Sequence, residues 1–213
     1  MAPLQIGVMM ENVQLSDITC IDCLGNASTT YVKVMAAEFG MPDISDLGTD
    51  MVFHYISSTL QPAFMTPSVM INPTTTYDDA PRDLDILLIG GPPLSHRPEA
   101  AERFMKEAVP RTKIVMSTCV GGMWLASSGV LKGKKATTNR GALEAAKGIY
   151  PDTDWLDQRW VVDGKFWTAG GAGAGIDMVA TYALQNFNPQ VAAIGLQGLD
   201  FDPAVRGQFY AEK

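Results

Sequence analysis

The stretch from Ile114 to Met123, IVMSTCVGGM, decides how this chain folds. An apolar run, Ile114-Val115-Met116, breaks off at Ser117-Thr118-Cys119-Val120-Gly121-Gly122, and a helix-compatible segment, MWLASSGVL, follows. That order reads as strand, sharp turn and helix, with a cysteine at the apex. Gly121 and Gly122 let backbone approach closely around such a turn. The helix that follows points its positive end back at the sulfur, which favours thiolate and predicts a pKa below the free value of about 8.5. Nearby backbone N–H groups are placed to hold an oxyanion. The competing reading is an inert buried cysteine, since free cysteine is among the most buried residue types.

The pattern extends outward from this turn. Leu4 to Met10 is a short apolar run that suits a buried parallel strand, and Asp85 to Ile89 is a second one running straight into Gly90-Gly91-Pro92-Pro93. Ser16–Leu24, Thr29–Phe39 and Pro98–Val109 each fit a helix, the last with its proline in the first turn. Met51–Ser57 and Ser68–Asn72 read as strands, Lys134–Thr138 as another, and Gly141–Lys147 as a helix. Gln158–Val162 and Lys165–Ala169 flank Asp163-Gly164, a strong hairpin signal. Gly170 to Gly175 opens a helix to about Gln185, and from Asn188 the chain reads as an extended tail. Strands alternating with helices predict an α/β sandwich around a mostly parallel sheet, with residues 1–187 as one domain and 188–213 as a tail packed on it or on a dimer partner. Ligands of such sheets sit beyond the carboxyl ends of the strands, where Gly90-Gly91, Cys119-Val120 and the loop after the first strand converge.

Composition narrows the function. The 213 residues are 46% hydrophobic and 18% charged, which fits one compact domain rather than a disordered chain. A net charge of −7 argues against nucleic acid as a partner. No transmembrane span is evident, and the start, MAPLQIGVMM, has no basic segment before an apolar one. Three cysteines do not make a disulfide framework, so free thiols and a cytoplasmic setting are expected.

The remaining motifs carry weaker chemistry. Cys20-Ile21-Asp22-Cys23 spells C-x-x-C, but nothing supplies two further zinc ligands and the pair lies well past the first strand; two cysteines on one helix face is the simpler reading. Gly170 to Gly175 comes too late for a dinucleotide loop and reads as close helix packing, with Asp177 serving that helix's first turn. The two histidines are His96, just past Gly90-Gly91 and placed to rim a pocket, and His54, facing outward from a strand. Trp124, Trp155, Trp160 and Trp167 read as core rather than cavity lining.

Taken together, DILLIGG, IVMSTCVGGMWLASSGVLKGKKATT and AGGAGAGIDM, in that order and spacing, resemble the ThiJ/PfpI superfamily. More closely they resemble its isocyanide-hydratase-like branch, which shares a flavodoxin-like three-layer sandwich with class I glutamine amidotransferases. The resemblance runs from about Leu4 to Asn186. It implies a cofactor-independent cysteine chemistry with Cys119 as nucleophile at a nucleophile elbow. It also implies oxyanion donors at the Gly91 and Val120 N–H groups, and a protonated acid near the first strand. Asp17, in the segment Leu15 to Thr19 (LSDIT), matches that acid best, and Glu11 is its rival. Gly90, Thr138, Asn139 and Arg140 are candidate substrate contacts. The partners implied are a small-molecule substrate and a second copy in a homodimer.

The chain departs from the family at three points. Thr137-Thr138-Asn139-Arg140 stands where many relatives carry Thr-Thr-His-Trp, Val120 replaces a threonine after the cysteine, and Cys20 replaces a glycine. No helix-turn-helix extension follows, which sets a transcription-regulator reading aside. The expected activity is addition of water to a small electrophile, such as an isocyanide giving an N-formamide. The alternatives are a glyoxalase-like conversion of a reactive carbonyl, or a redox-sensing, protective role in oxidative stress through Cys119 oxidation.

Overall fold

The computed structural model describes residues 2–201 and 208–210. The elements, in chain order, are β1 (Leu4–Met9), α1 (Leu15–Ile18), α2 (Ile21–Gly25), α3 (Thr29–Phe39), β2 (Met51–Ser57), β3 (Ala63–Met65), β4 (Val69–Ile71), β5 (Thr75–Thr76), β6 (Ile86–Ile89), α4 (Glu99–Ala108), β7 (Ile114–Ser117) and α5 (Gly121–Ser127). There follow β8 (Lys135–Ala136), α6 (Leu143–Ile149), β9 (Asp154–Trp155), β10 (Trp160–Asp163), β11 (Phe166–Ala169), α7 (Ala172–Asn186) and α8 (Pro189–Gln197). The main sheet has the order β10-β11-β7-β6-β1-β2-β5. Every pairing is parallel except β10 with β11, the hairpin turned at Asp163-Gly164.

The strand sequences explain why both faces of the sheet are covered. Side chains alternate across a strand, and here both sets are apolar. Ile6, Val8, Ile86, Leu88 and Met116 face a core shared with α1, α2 and α7. Met9, Ile56, Leu87, Ile89 and Val115 face the opposite core, filled by Phe104 and Met105 of α4 and by Met123, Trp124 and Leu125 of α5. Each such side chain contributes about 1.5–3 kcal/mol on burial, so neither face is left to solvent. The result is the flavodoxin-like three-layer α/β sandwich that the sequence predicts. All four tryptophans lie in these cores.

Several local expectations change. The predicted helix over Ser16–Leu24 splits into α1 and α2, with Thr19 and Cys20 between them. The predicted tail from Asn188, expected to be extended with a little local structure, begins with a helix: Asn188 Oδ1 accepts from the N–H groups of Gln190 and Val191, and Pro189 occupies the first helical position of α8. Residues 202–207 and 211–213 of that tail lie outside the described residues. That helix packs on α2, α3 and α7, with Gly195 lying flat against Asn26. Among the described residues no helix is long and apolar enough to cross a membrane.

Candidate active site

The centre of the parallel sheet brings the ends of β1, β6 and β7 together. Beyond β7 the chain makes its elbow. Thr118 N–H donates to the Ile89 carbonyl at the end of β6 (3.1 Å), and Cys119 then adopts φ 54°, a left-handed conformation costly for a residue with a Cβ. The two residues after Val120 must be glycine for steric reasons. A Cβ on Gly121 would stand 2.5 Å from the Ile89 carbonyl oxygen, and one on Gly122 would stand 2.6 Å from that of Thr137. Neither Gly90 nor Gly91 has a positive φ; these glycines are needed for close approach. A Cβ on Gly91 would lie 2.9 Å from Asp17 Oδ2, 2.9 Å from the Val120 nitrogen and 3.1 Å from Cys119 Cβ. One position thus marks the convergence of four of the predicted site residues.

Asp17 is fully buried. The α1 turn carries it inward, and its backbone carbonyl accepts the Thr118 hydroxyl at 2.8 Å, tying α1 to the elbow. Its Oδ2 accepts the Gly91 N–H at 3.2 Å, its Oδ1 is buried with no hydrogen-bond partner among the described residues, and the carboxyl lies close enough to Cys119 for each group to shift the other's titration. Burial raises the Asp17 pKa from 3.8 to about 6, while the Gly91 N–H and the thiol pull the other way. Glu11 goes elsewhere: its Oε2 accepts from the Ser58 N–H (3.1 Å) and hydroxyl (2.7 Å) and faces His96 Nε2 at 3.6 Å. The structure therefore brings Asp17, and not Glu11, to the sulfur.

The thiol itself departs from the sequence expectation. Burial, followed by the charge of Asp17, pushes the Cys119 pKa up; the Val120 N–H and the Asn139 amide lower it without prevailing. The two acids form one coupled unit. Asp17 gives up its proton first, at about pH 6, and the thiol of the resulting anionic pair holds the second.

The remaining candidates fall into two groups. Val120 N–H reaches the sulfur, as does the Asn139 side chain, whose Nδ2 lies 3.5 Å from Sγ. Asn139 Oδ1 accepts the Gly141 N–H at 3.0 Å, which fixes the amide with its donor side towards the sulfur. Thr138, Gly90 and Arg140 support the site instead of contacting its sulfur. Thr138 is buried and its hydroxyl donates to the Cys119 carbonyl at 3.0 Å. Gly90 packs under Val13 and Ile18. Arg140 is half-exposed and paired with Asp157 (2.9 Å). The Gly91 N–H, expected as an oxyanion donor, is engaged with Asp17 instead.

Neither histidine acts on the thiol. His54 Nε2 lies 2.8 Å from Gln5 Oε1, and His96 meets the edge of Trp124 beside Glu11. Cys20 and Cys23 are buried and free, and burial pushes the Cys23 thiol up to about 12 and the Cys20 thiol higher still, which leaves both unreactive. Asp177 does not serve its own helix terminus; it pairs with Arg159. Sequence reasoning missed the two hydroxyl braces, Thr118 to Asp17 and Thr138 to Cys119. A threonine beside a strand-to-helix turn carries no signal of which carbonyl it will meet.

Comparison with known proteins bears on this geometry. The sequence profile of the DJ-1/PfpI family matches residues 41–185. Isonitrile hydratase from Pseudomonas putida is 30% identical over 161 residues, covering 73% of this chain and 68% of that protein. The HTH-type transcriptional regulator CdhR from Pseudomonas aeruginosa is 23% identical over 141 residues, covering 66% of this chain and 42% of the regulator. Among solved structures, a ThiJ/PfpI family protein from Pseudomonas syringae superposes with a TM-score of 0.77 at 22% identity, covering 95% of this chain and 77% of that one. An AraC family transcriptional regulator from Pseudomonas putida superposes with a TM-score of 0.72 at 13% identity, covering 92% of this chain and all of that one.

Proposed function

Since the chain belongs to the DJ-1/PfpI family, we propose that it is a cofactor-independent cysteine enzyme that adds water to a small electrophile of the isocyanide type. The observation that carries this reading is the fully buried Asp17 carboxyl converging with Cys119 and the Val120 nitrogen around Gly91. The likeness to isonitrile hydratase supports the same substrate class.

In the proposed reaction the sulfur attacks the terminal carbon of R–NC while its proton passes to the Asp17 carboxylate. Asp17 returns that proton to the attacked carbon, giving a thioimidate. Water, deprotonated by Asp17, adds to this carbon, and the nitrogen takes up a proton. Collapse of the adduct breaks the C–S bond, releases R–NH–CHO and restores the one-proton pair. The sum is R–NC plus water giving the formamide, with no external acid, base or oxidant. The Val120 N–H and the Asn139 amide hold charge on the sulfur as it leaves. Asn139 fills a role that needs a donor and no titration, which is why an amide serves where many relatives carry histidine. In this reading the enzyme works in the cytoplasm as a homodimer on small molecules.

The test compares wild type with Cys119→Ala and Asp17→Asn on a panel of small isocyanides, following formamide. Turnover that both substitutions abolish supports hydration by this pair. No turnover in wild type on any member sinks the isocyanide assignment.

A further inference from the structure

Residues 208–210 return to the sheet beside β10. The Arg159 N–H donates to the Gln208 carbonyl at 2.9 Å, and Gln208 Nε2 donates to the Trp160 carbonyl at 3.0 Å. From this anchor Tyr210 lays its ring against Arg140, with the guanidinium carbon 4.3 Å from the ring centroid. Its hydroxyl closes on Gly170, where a Cβ would stand 2.7 Å from the phenol oxygen and 3.4 Å from the Thr138 carbonyl. The glycine is therefore what lets the ring sit this deep.

Arg140 is held by two contacts, the Tyr210 ring and the carboxylate of Asp157, which accepts from Nε at 3.2 Å and from Nη2 at 2.9 Å. Arg140 also begins the short 3-10 turn, Arg140–Ala142, that Asn139 caps. Asn139 is joined to the elbow through its own N–H, 3.3 Å from the Cys119 carbonyl, and through its amide, 3.5 Å from the sulfur. That distance is an ordinary one for an N–H donor to the larger sulfur atom, and the turn that carries the amide sets it. The layers run outward from the sulfur as Asn139, Arg140, Tyr210.

We infer that Tyr210 is a positioning residue of the Cys119 site: its ring, stacked on Arg140, holds the turn that keeps the Asn139 amide on the sulfur. The inference rests on reading Cys119 as a nucleophile, and it does not depend on which electrophile is the substrate. Tyr210 acts through Arg140 and Asn139 without touching the reacting atoms.

The experiment is the rate of Cys119 alkylation by iodoacetamide in the full chain, followed by mass spectrometry between pH 6 and 10. Loss of the amide in Asn139→Ala is expected to raise the pH midpoint by about one unit, and so to lower the rate at pH 8 about tenfold. Tyr210→Ala is expected to move the midpoint in the same direction by a smaller amount, and Tyr210→Phe, which keeps the ring, to stay close to wild type. In the Asn139→Ala background, Tyr210→Ala is expected to add nothing. Thermal melts of each variant show whether it is folded. Faster alkylation in Tyr210→Ala at an unchanged midpoint would mean that the ring only shields the site, and would overturn the inference. Independent, additive effects of the two alanine variants would overturn it equally. Because alkylation needs no isocyanide turnover, failure of the hydratase assignment and failure of this inference are read separately.

Discussion

Replacing Asp17 by asparagine should stabilise the protein, and should do so increasingly as pH rises. The carboxyl is fully buried and its pKa stands at about 6 in the native chain against an ordinary value of 3.8. The native state therefore binds this proton more tightly than the unfolded state does. Between those two values folding takes up a proton, so this residue's contribution becomes less favourable as pH rises, and the penalty is complete above pH 6. A difference of about two pH units corresponds to about 3 kcal/mol at pH 8 and to less than about 1 kcal/mol at pH 4. Asparagine keeps the acceptor for the Gly91 N–H and carries no charge to bury. The advantage of Asp17→Asn over wild type should thus grow by about 2 kcal/mol from pH 4 to pH 8, several degrees in melting temperature for a chain of this size. Urea unfolding of both proteins at both pH values measures it, and the difference between them cancels the titrating groups that do not interact with Asp17. An advantage that stays constant with pH would show that Asp17 does not titrate with a raised pKa, and the proton-sharing argument would fail with it. An advantage that shrinks as pH rises would reverse the sign and place a stabilised carboxylate at the site.

Three further outcomes follow from the same geometry. Turnover against pH should be bell-shaped, rising through about pH 6 as Asp17 becomes able to take the thiol proton and falling on the alkaline side, where the pair has lost both protons; a profile flat across pH 6 would separate Asp17 from the chemistry. Gly91→Ala should leave the fold assembled yet cut turnover about a hundredfold or more, since its methyl would press on Asp17, Val120 and Cys119 together; near-normal kinetics would refute that convergence. Glu11→Gln should change turnover less than about threefold while Asp17→Asn abolishes it, because Glu11 is committed to Ser58 and His96; the reverse ranking would move the acid role to Glu11.

Much of the fold was legible because short apolar runs identify strands buried on both faces, as at Leu4 to Met9 and Ile86 to Ile89. The hairpin at Asp163-Gly164 was equally plain, since that pair sets its own turn. The α8 helix was missed because Gly195 and Gly198 mimic a loop, although Asn188-Pro189 is a good helix start. The elbow was legible for a steric reason: only glycine fits at 121 and 122. The direction of the thiol pKa was not legible. It depends on how completely tertiary packing removes the sulfur from water, and a local sequence reports only the helix that follows it. The preference for Asp17 over Glu11 also needed coordinates, because the chain reverses between them and only α1 turns inward. Asp17 lies ahead of the residues that the family profile matches, so its place beside Cys119 is a matter of geometry alone.

A buried pair that holds one proton also carries one negative charge at neutral pH, and it does so on a chain whose net charge is already −7. An anionic electrophile would have to approach that charge with little water between them, where repulsion is strong. A neutral one meets no such barrier, and neither does its neutral product on leaving. On the proposed reading, the same desolvation that raises the thiol's pKa would sort its visitors by charge, favouring uncharged molecules such as isocyanides and simple aldehydes over 2-oxo acids.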